Sequence, residues 1–345
     1  MIINDTEGAP IFTNMKIESL IGIHLGKTAD GSAMPAYITP KTIDSSLLVA
    51  IPRSENRDKY GIDKEFFSSA IDIWNCYEFS TLLQNGYPIN GIVKIKLSNT
   101  DFIVESKSLK LYLNSFNSHR WTLDKENTLS ARISTKISED LRECFSNGYS
   151  GVFAKVFLFG EFQEGIHSFD GGDLAYASKL ESGLFKDLDI VFNNPSELDS
   201  FDTECENPSS LISNKGSSIT GVQRFKTSML RSNCRVTNQP DWGDVYIAIK
   251  TDKVINEEGI LRYIVSLRNE NHFHEEICEL ISKRFVDAFD PQCMWVSCLY
   301  TRRGGIDINP FRFYKMPNTP SLEFEKLFFP DYMNLYNTSP KTLRQ

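Results

Sequence analysis

A chain of 345 residues with 41% apolar and 12% aromatic side chains holds material for about two ordinary cores, at ~150 residues per domain. Its net charge of −8, with Lys and Arg scattered among acidic residues, argues against nucleic acid as a direct ligand. The seven cysteines (Cys76, Cys144, Cys205, Cys234, Cys278, Cys293 and Cys298) form no CxxC pair, the N-terminus lacks a basic-then-apolar leader, and no stretch approaches the ~20 apolar residues of a membrane span, so reduced thiols in the cytoplasm are expected.

GIVKIKL from Gly91 partly alternates apolar and basic residues, and DFIVES follows the short turn SNT, so the two read as a hairpin. SKSLKLYLNSFNS sets Leu109, Tyr112, Leu113 and Phe116 at helical spacing. LDKENTLSARISTKISEDLRECFSNG predicts a longer helix closed by Asn147 and Gly148, and GVFAKVFLF from Gly151 returns as a strand. The second half repeats this order: DVYIAIK from Asp244 is a strand, EEGILRYIVSLRN and FHEEICELISKRFVDAF are helical, and CMWVSCLYTRR predicts a final strand. LKLYLNSFN at 109–117 also resembles LRYIVSLRN at 261–269 in spelling. Two ββααβ modules in series follow, in residues 1–160 and 226–345. The Asp-, Ser-, Asn- and Gly-rich stretch 161–225 reads as a linker or long loop, with LDIVF near 188 as a short strand.

No GxGxxG follows a strand and no GxxxxGK[ST] occurs, so neither common nucleotide motif is encoded. His272 and His274 flank Phe273 without a third ligand, and no metal site is predicted. Cys234 sits in LRSNCRVTNQPDWG between Arg231 and Arg235, with Asp241 beyond Pro240. A nucleophilic cysteine must be a thiolate, and positive charge lowers its ordinary pKa of ~8.5. Taken alone, the same cysteine reads as a small buried residue and Asp241 as a turn residue or helix cap. ESKSLKLYLNSFN places Glu105 at a strand end and Ser106, Lys107, Ser108 and Lys110 at a helix start, which suits a bound anion or a capped, solvated turn. RRGGIDINP sets Arg302 and Arg303 ahead of two glycines that permit close backbone approach to a ligand, or that form a basic hairpin end.

Together these segments make the chain similar to the bimodular form of the NADPH-dependent 7-cyano-7-deazaguanine reductases, the nitrile reductases of queuosine biosynthesis. LLVAIPRSENR at 47–57, ESKSLKLY at 105–112, SNCRVTNQPDWG at 232–243, FHEE at 273–276 and YTRRGGIDINPFR at 300–312 occur in the family's order across nearly the whole chain. Asn238 departs from the pattern, since relatives often carry histidine before QPDW. The resemblance implies an α+β fold of two tandem tunnelling-fold modules, antiparallel sheets with helices on one face, assembled at least as a homodimer. It also implies that Cys234 adds to the nitrile carbon and Asp241 protonates nitrogen, giving a thioimide that two hydrides from NADPH reduce to the amine, with His274 as proton-handling partner. Val104, Glu105, Ser106, Phe273, His274 and Glu275 are then the expected substrate contacts, and Ser106, Lys107, Arg303 and Gly304 those of NADPH. A zinc-dependent tunnelling-fold enzyme such as a cyclohydrolase, and a silent ligand-binding homologue, are the competing classes.

Overall fold

A computed structural model describes residues 40–146, 151–159, 184–192, 200–214 and 221–317. Among these the helices are α1 (Ser54–Lys59), α2 (Ser106–Asn114), α3 (Leu129–Cys144), α4 (Leu188–Val191), α5 (Glu257–Ser266) and α6 (His274–Phe289). The fold is mixed α+β with mainly antiparallel pairing. The described residues form two compact units that interleave along the sequence, one drawing on those within 40–53, Glu78–Val93 and Thr100–Phe159, the other on those within Ser54–Tyr77, Lys94–Asn99 and 184–317.

In the first unit, β1 (Ala50–Pro52) pairs antiparallel with β4 (Phe102–Val104). β2 (Ser69–Leu83) and β3 (Pro88–Ser98), which lend residues to both units, are the true hairpin, closed by the Leu83 N–H to the Tyr87 carbonyl at 2.9 Å. The expected pairing of GIVKIKL with DFIVES is therefore corrected. β2 is buried on both faces over most of its length, so it shows no alternation to reveal it. α3 starts at Leu129 rather than in LDKEN, because the Thr128 hydroxyl accepts from the Ala131 N–H (3.3 Å). Asn147 and Gly148, expected to close this helix, lie outside the described residues. Leu109, Tyr112 and Phe116 are fully buried, as are Ile133, Ile137 and Leu141, and the Tyr112 hydroxyl donates to Asp140 at 2.7 Å. The outer edge of β6 (Val152–Leu158) is covered by α3: the Ala154 and Val156 N–H groups donate to the Ser138 and Ser134 hydroxyls, both at 2.9 Å, and Arg142 donates to the Val152 carbonyl at 2.8 Å. Positions 134, 138 and 142 recur every fourth residue, so one helical stripe seals the strand edge.

The second unit orders its strands β12-β9-β10-β13-β14-β2. β9 (Gln223–Cys234), β10 (Pro240–Lys250), β13 (Cys293–Tyr300) and β14 (Ile306–Lys315) pair antiparallel, while β7 (Lys186–Asp187) and β12 (Asn271–His272) add in parallel to β9. α5 and α6 cover the face bearing Leu230, Val245, Ile247, Val296 and Cys298. Tyr246, Ala248, Trp295 and Phe311 lie on the other face with Phe185. CMWVSCLY is not the last strand. Arg303 and Ile306 exchange backbone hydrogen bonds (2.8 and 3.2 Å) around Gly304 and Gly305 at φ 59° and 82°, and this tight turn sends the chain back as β14. LDIVF contains the single helical turn α4 rather than a strand. Of the expected linker, the structure also describes a 3-10 turn at Pro208–Ser210, β8 (Ser213–Asn214) paired with β11 (Val254–Ile255), and the start of β9.

Element order recurs between the halves. β5 (Arg120–Trp121) lies parallel to β2 with Trp121 opposite Leu83, as β12 lies on β9 with His272 opposite Cys234. The Ser115 hydroxyl accepts from the Asp44 N–H (3.1 Å) and donates to the Tyr112 carbonyl (2.6 Å); Ser266 does the same with Asn207 (2.9 Å) and Tyr263 (2.7 Å). This register aligns Tyr112 with Tyr263, one residue away from the match that spelling suggests.

Candidate active site

Cys234 ends β9, and the register of β10 sets Asp241 opposite Ser232 and Gly243 opposite both Leu230 and Tyr300. With a period of two, Ser232, Cys234, Asp241 and Tyr300 project to one sheet face, the one that the helices cover. The hairpin is closed beneath the thiol by the Cys234 N–H to the Gln239 carbonyl and the Asn238 N–H to the Cys234 carbonyl, both at 2.8 Å. Asn238 has φ 58°, a left-handed conformation that asparagine tolerates.

Asp241, only 6% exposed, is held on both oxygens: Arg303 donates to Oδ1, and His274 Nε2 lies 3.3 Å from Oδ2. Arg303 also donates to Thr237 Oγ1 (2.9 Å) and Gln239 Oε1 (2.5 Å), so the β13–β14 turn is latched onto the loop that follows Cys234. Burial raises the Asp241 pKa, but hydrogen bonding and charge from His274 and Arg303 prevail, and the carboxyl titrates below its ordinary 3.8. It is therefore a carboxylate at neutral pH. The His274 ring stacks on Tyr300, centroids 3.8 Å apart and planes 15° from parallel. Burial pushes the Tyr300 hydroxyl well above its usual pKa. His274 Nδ1 is buried and has no hydrogen-bond partner among the described residues.

At the start of α6, Glu275 is 1% exposed. Its neighbour Glu276 accepts the Phe273 N–H (3.0 Å), lies 3.3 Å from His272 Nδ1, and accepts from Arg235 (3.0 Å). Arg231 donates to the Arg268 carbonyl and to Asn269. Both arginines that flank Cys234 in sequence are thus engaged with other groups. Among the described residues no group of three or more His, Cys, Asp or Glu is gathered as a metal site.

Val104, Glu105, Ser106 and Lys107 belong to the first unit. Glu105, 3% exposed, caps α2, its oxygens accepting from the N–H groups of Lys107 (3.2 Å) and Ser108 (2.7 Å). The helix start expected to receive an anion thus already holds one, and Lys107, half-buried, supplies the local positive charge. Within the second unit the structure gathers Asp241, His274 and Arg303 on the face of Cys234. Sequence reasoning missed Ser232, Thr237, Gln239, Glu276 and Tyr300; the only signal for them was their membership of the quoted motifs.

Two family models match the chain in succession: "Nitrile reductase, 7-cyano-7-deazaguanine-reductase N-term" over residues 39–149, and "QueF-like protein" over residues 240–319. A solved structure, the archaeosine synthase QueF-Like in the apo form, is 18% identical, with 30% of this chain and 99% of that one covered at a TM-score of 0.27, too low to carry an argument about fold. The first match contains ESKS and the second contains Asp241, FHEE and YTRRGG, and on that ordered pair of matches the chain belongs to the 7-cyano-7-deazaguanine nitrile reductase family, in its two-part form.

Proposed function

We propose that this enzyme reduces the nitrile of 7-cyano-7-deazaguanine to an aminomethyl group through a thioimide on Cys234, with NADPH as reductant. The observation that carries the reading is Asp241, ionised between Arg303 and His274 on the sheet face that presents Cys234. An ionised Asp241 first accepts the thiol proton. Sulfur then bonds to the nitrile carbon, one C–N π bond opens, and the same proton passes to nitrogen, so addition neither gains nor loses a proton overall. His274, touching Asp241 through Nε2 and leaving Nδ1 without a protein partner among the described residues, handles the protons that later steps add to nitrogen.

In the second unit Glu275, with Phe273, is assigned to accepting N–H donors of the guanine-like edge; in the first unit Glu105, with Val104 and Ser106, is assigned the same kind of contact, since each carboxylate oxygen has a second lone pair. NADPH, when bound, supplies the hydrides. The Ser106 hydroxyl and the Lys107 ammonium fit a cofactor phosphate, whereas the N–H groups of Lys107 and Ser108 are taken by Glu105. Among the described residues Arg303 keeps its Nε–H and one Nη1–H beyond its bonds to Asp241, Thr237 and Gln239, so it fits as well, with Gly304 beside it. The recurring element order supports tandem tunnelling-fold modules in residues 1–160 and 226–345 around 161–225, and we place the enzyme in the cytoplasm as a homodimer.

The test mixes protein, cyano substrate and NADPH and measures cofactor loss and product mass together. Two NADPH per amine are expected, because nitrile reduction takes four electrons. A one-to-one ratio with released imine, or substrate binding without any cofactor oxidation, would overturn the reading.

A further inference from the structure

Facing Asp244 on β10, strand β9 carries two residues, Ser228 and Met229, because the register moves from Gly243 opposite Leu230 to Val245 opposite Thr227. This β-bulge inverts the side-chain alternation of β9. Phe225 belongs to the helix-side core together with Leu230, although an odd and an even position of a regular strand would face opposite ways. Ser232 and Cys234 follow Leu230 in phase. Without the extra residue, a strand that kept Phe225 inside would turn Cys234 away from Asp241 and Tyr300.

The bulge is held from outside the strand by Asp189 in the one-turn α4. One carboxylate oxygen accepts the Ser228 N–H (2.8 Å) and the Ser228 hydroxyl, and the other accepts the Thr227 hydroxyl (2.5 Å). The Thr227 hydroxyl in turn accepts the Met229 N–H (3.1 Å), so both bulge residues are tied to one side chain. Asp189 is itself fixed. β7 pairs with Phe225 and Lys226 immediately before the bulge, Asp187 caps α4 through the Asp189 N–H (3.1 Å), and Leu188 is fully buried in the same core.

We infer that Asp189, in a stretch that neither family model matches, is a positioning residue that sets the register of β9 and thereby aims Cys234 at its partners. The chemistry it serves rests on the proposed nitrile reduction, so the test has one readout that needs no substrate. Hydrogen exchange resolved by residue would be compared among wild type, Asp189→Asn and Asp189→Ala, alongside the rate at which Cys234 gains the mass of the cyano substrate without NADPH. In Asp189→Ala, exchange should rise from Ser228 through Cys234 while β13 keeps its protection, and adduct formation should slow by about 10- to 100-fold, the scale of a ~1 Å misplacement. Asp189→Asn retains an acceptor and should recover part of both. Exchange that rises only at 227–229 with an unchanged adduct rate would show a local cap and overturn the inference, as would a general loss of protection that includes β13. If wild type forms no adduct, nitrile chemistry fails by itself, and the exchange pattern still decides the role of Asp189.

Discussion

Burial alone would make Asp241 a weaker acid; the arginine and histidine on its two oxygens reverse that outcome. The consequence for stability has a definite sign. A carboxyl whose folded pKa lies below its unfolded value contributes stability that is complete above the ordinary 3.8 and is lost as pH falls through the folded value. Asp241→Asn removes this contribution. The gap in unfolding temperature between wild type and variant should stay constant around neutrality and close as the pH drops below 3.8, as thermal melts at stepped pH would show. A gap that widens in acid would contradict the assigned direction. The same residue-scale physics acts on other thiols: burial pushes Cys293 and Cys144 up to about 12 and Cys298 well above the usual value. From sequence, Cys234 and Asp241 were identifiable through their motif. The bond from Arg303 to Asp241 was not, because it joins positions 62 apart through a fold that periodicity does not specify.

Elements with one clean period were legible and those with a broken one were not. α5, α6, β10 and β13 stand where their patterns place them, and β6 follows Gly151 as expected. β9 was invisible because its bulge shifts the buried positions from Phe225 and Thr227 to Leu230 and Ser232, so no single alternation spans it. The cover on β6 was equally hidden, since ISTKISEDLREC reads as an amphipathic helix and nothing in it announces that Ser134 and Ser138 receive backbone N–H groups of a strand. That cover carries a prediction. Ser134→Ala with Ser138→Ala leaves two N–H groups without acceptors on a strand edge, so stability should fall by about 1 to 3 kcal/mol in urea unfolding. The bared edge should also promote association, visible as concentration-dependent light scattering at neutral pH. Unchanged stability together with unchanged scattering would mean that water replaces the hydroxyls without consequence.

At the scale of the molecule, the second unit is joined across the sequence by charges that water does not reach. Arg312, fully buried, pairs with Asp72 (2.8 Å) and Glu279 (2.9 Å), and Glu279 also receives two bonds from Arg57 (2.9 and 2.7 Å). Each of these carboxylates faces an arginine, and it is such pairing that lets buried charges persist without solvent. Its parts stand on α1, β2, α6 and β14, and no sequence pattern connects them. They also fix α6 one turn beyond Glu275, so the arrangement that stabilises the unit sets the azimuth of the helix start on which His274 and Glu275 sit. The members are not equivalent when removed. Arg312→Met leaves Glu279 its second arginine but takes a fully buried cation from the carboxylates of both Asp72 and Glu279, so the loss should be about 3 to 5 kcal/mol. Lys186→Ala breaks the partly exposed pair with Glu257 and should cost no more than ~1 kcal/mol. Urea unfolding of both variants beside wild type measures the contrast. Equal, small losses would show that the remaining groups of the unit accommodate the change, and would remove the basis for assigning the cluster its hold on α6.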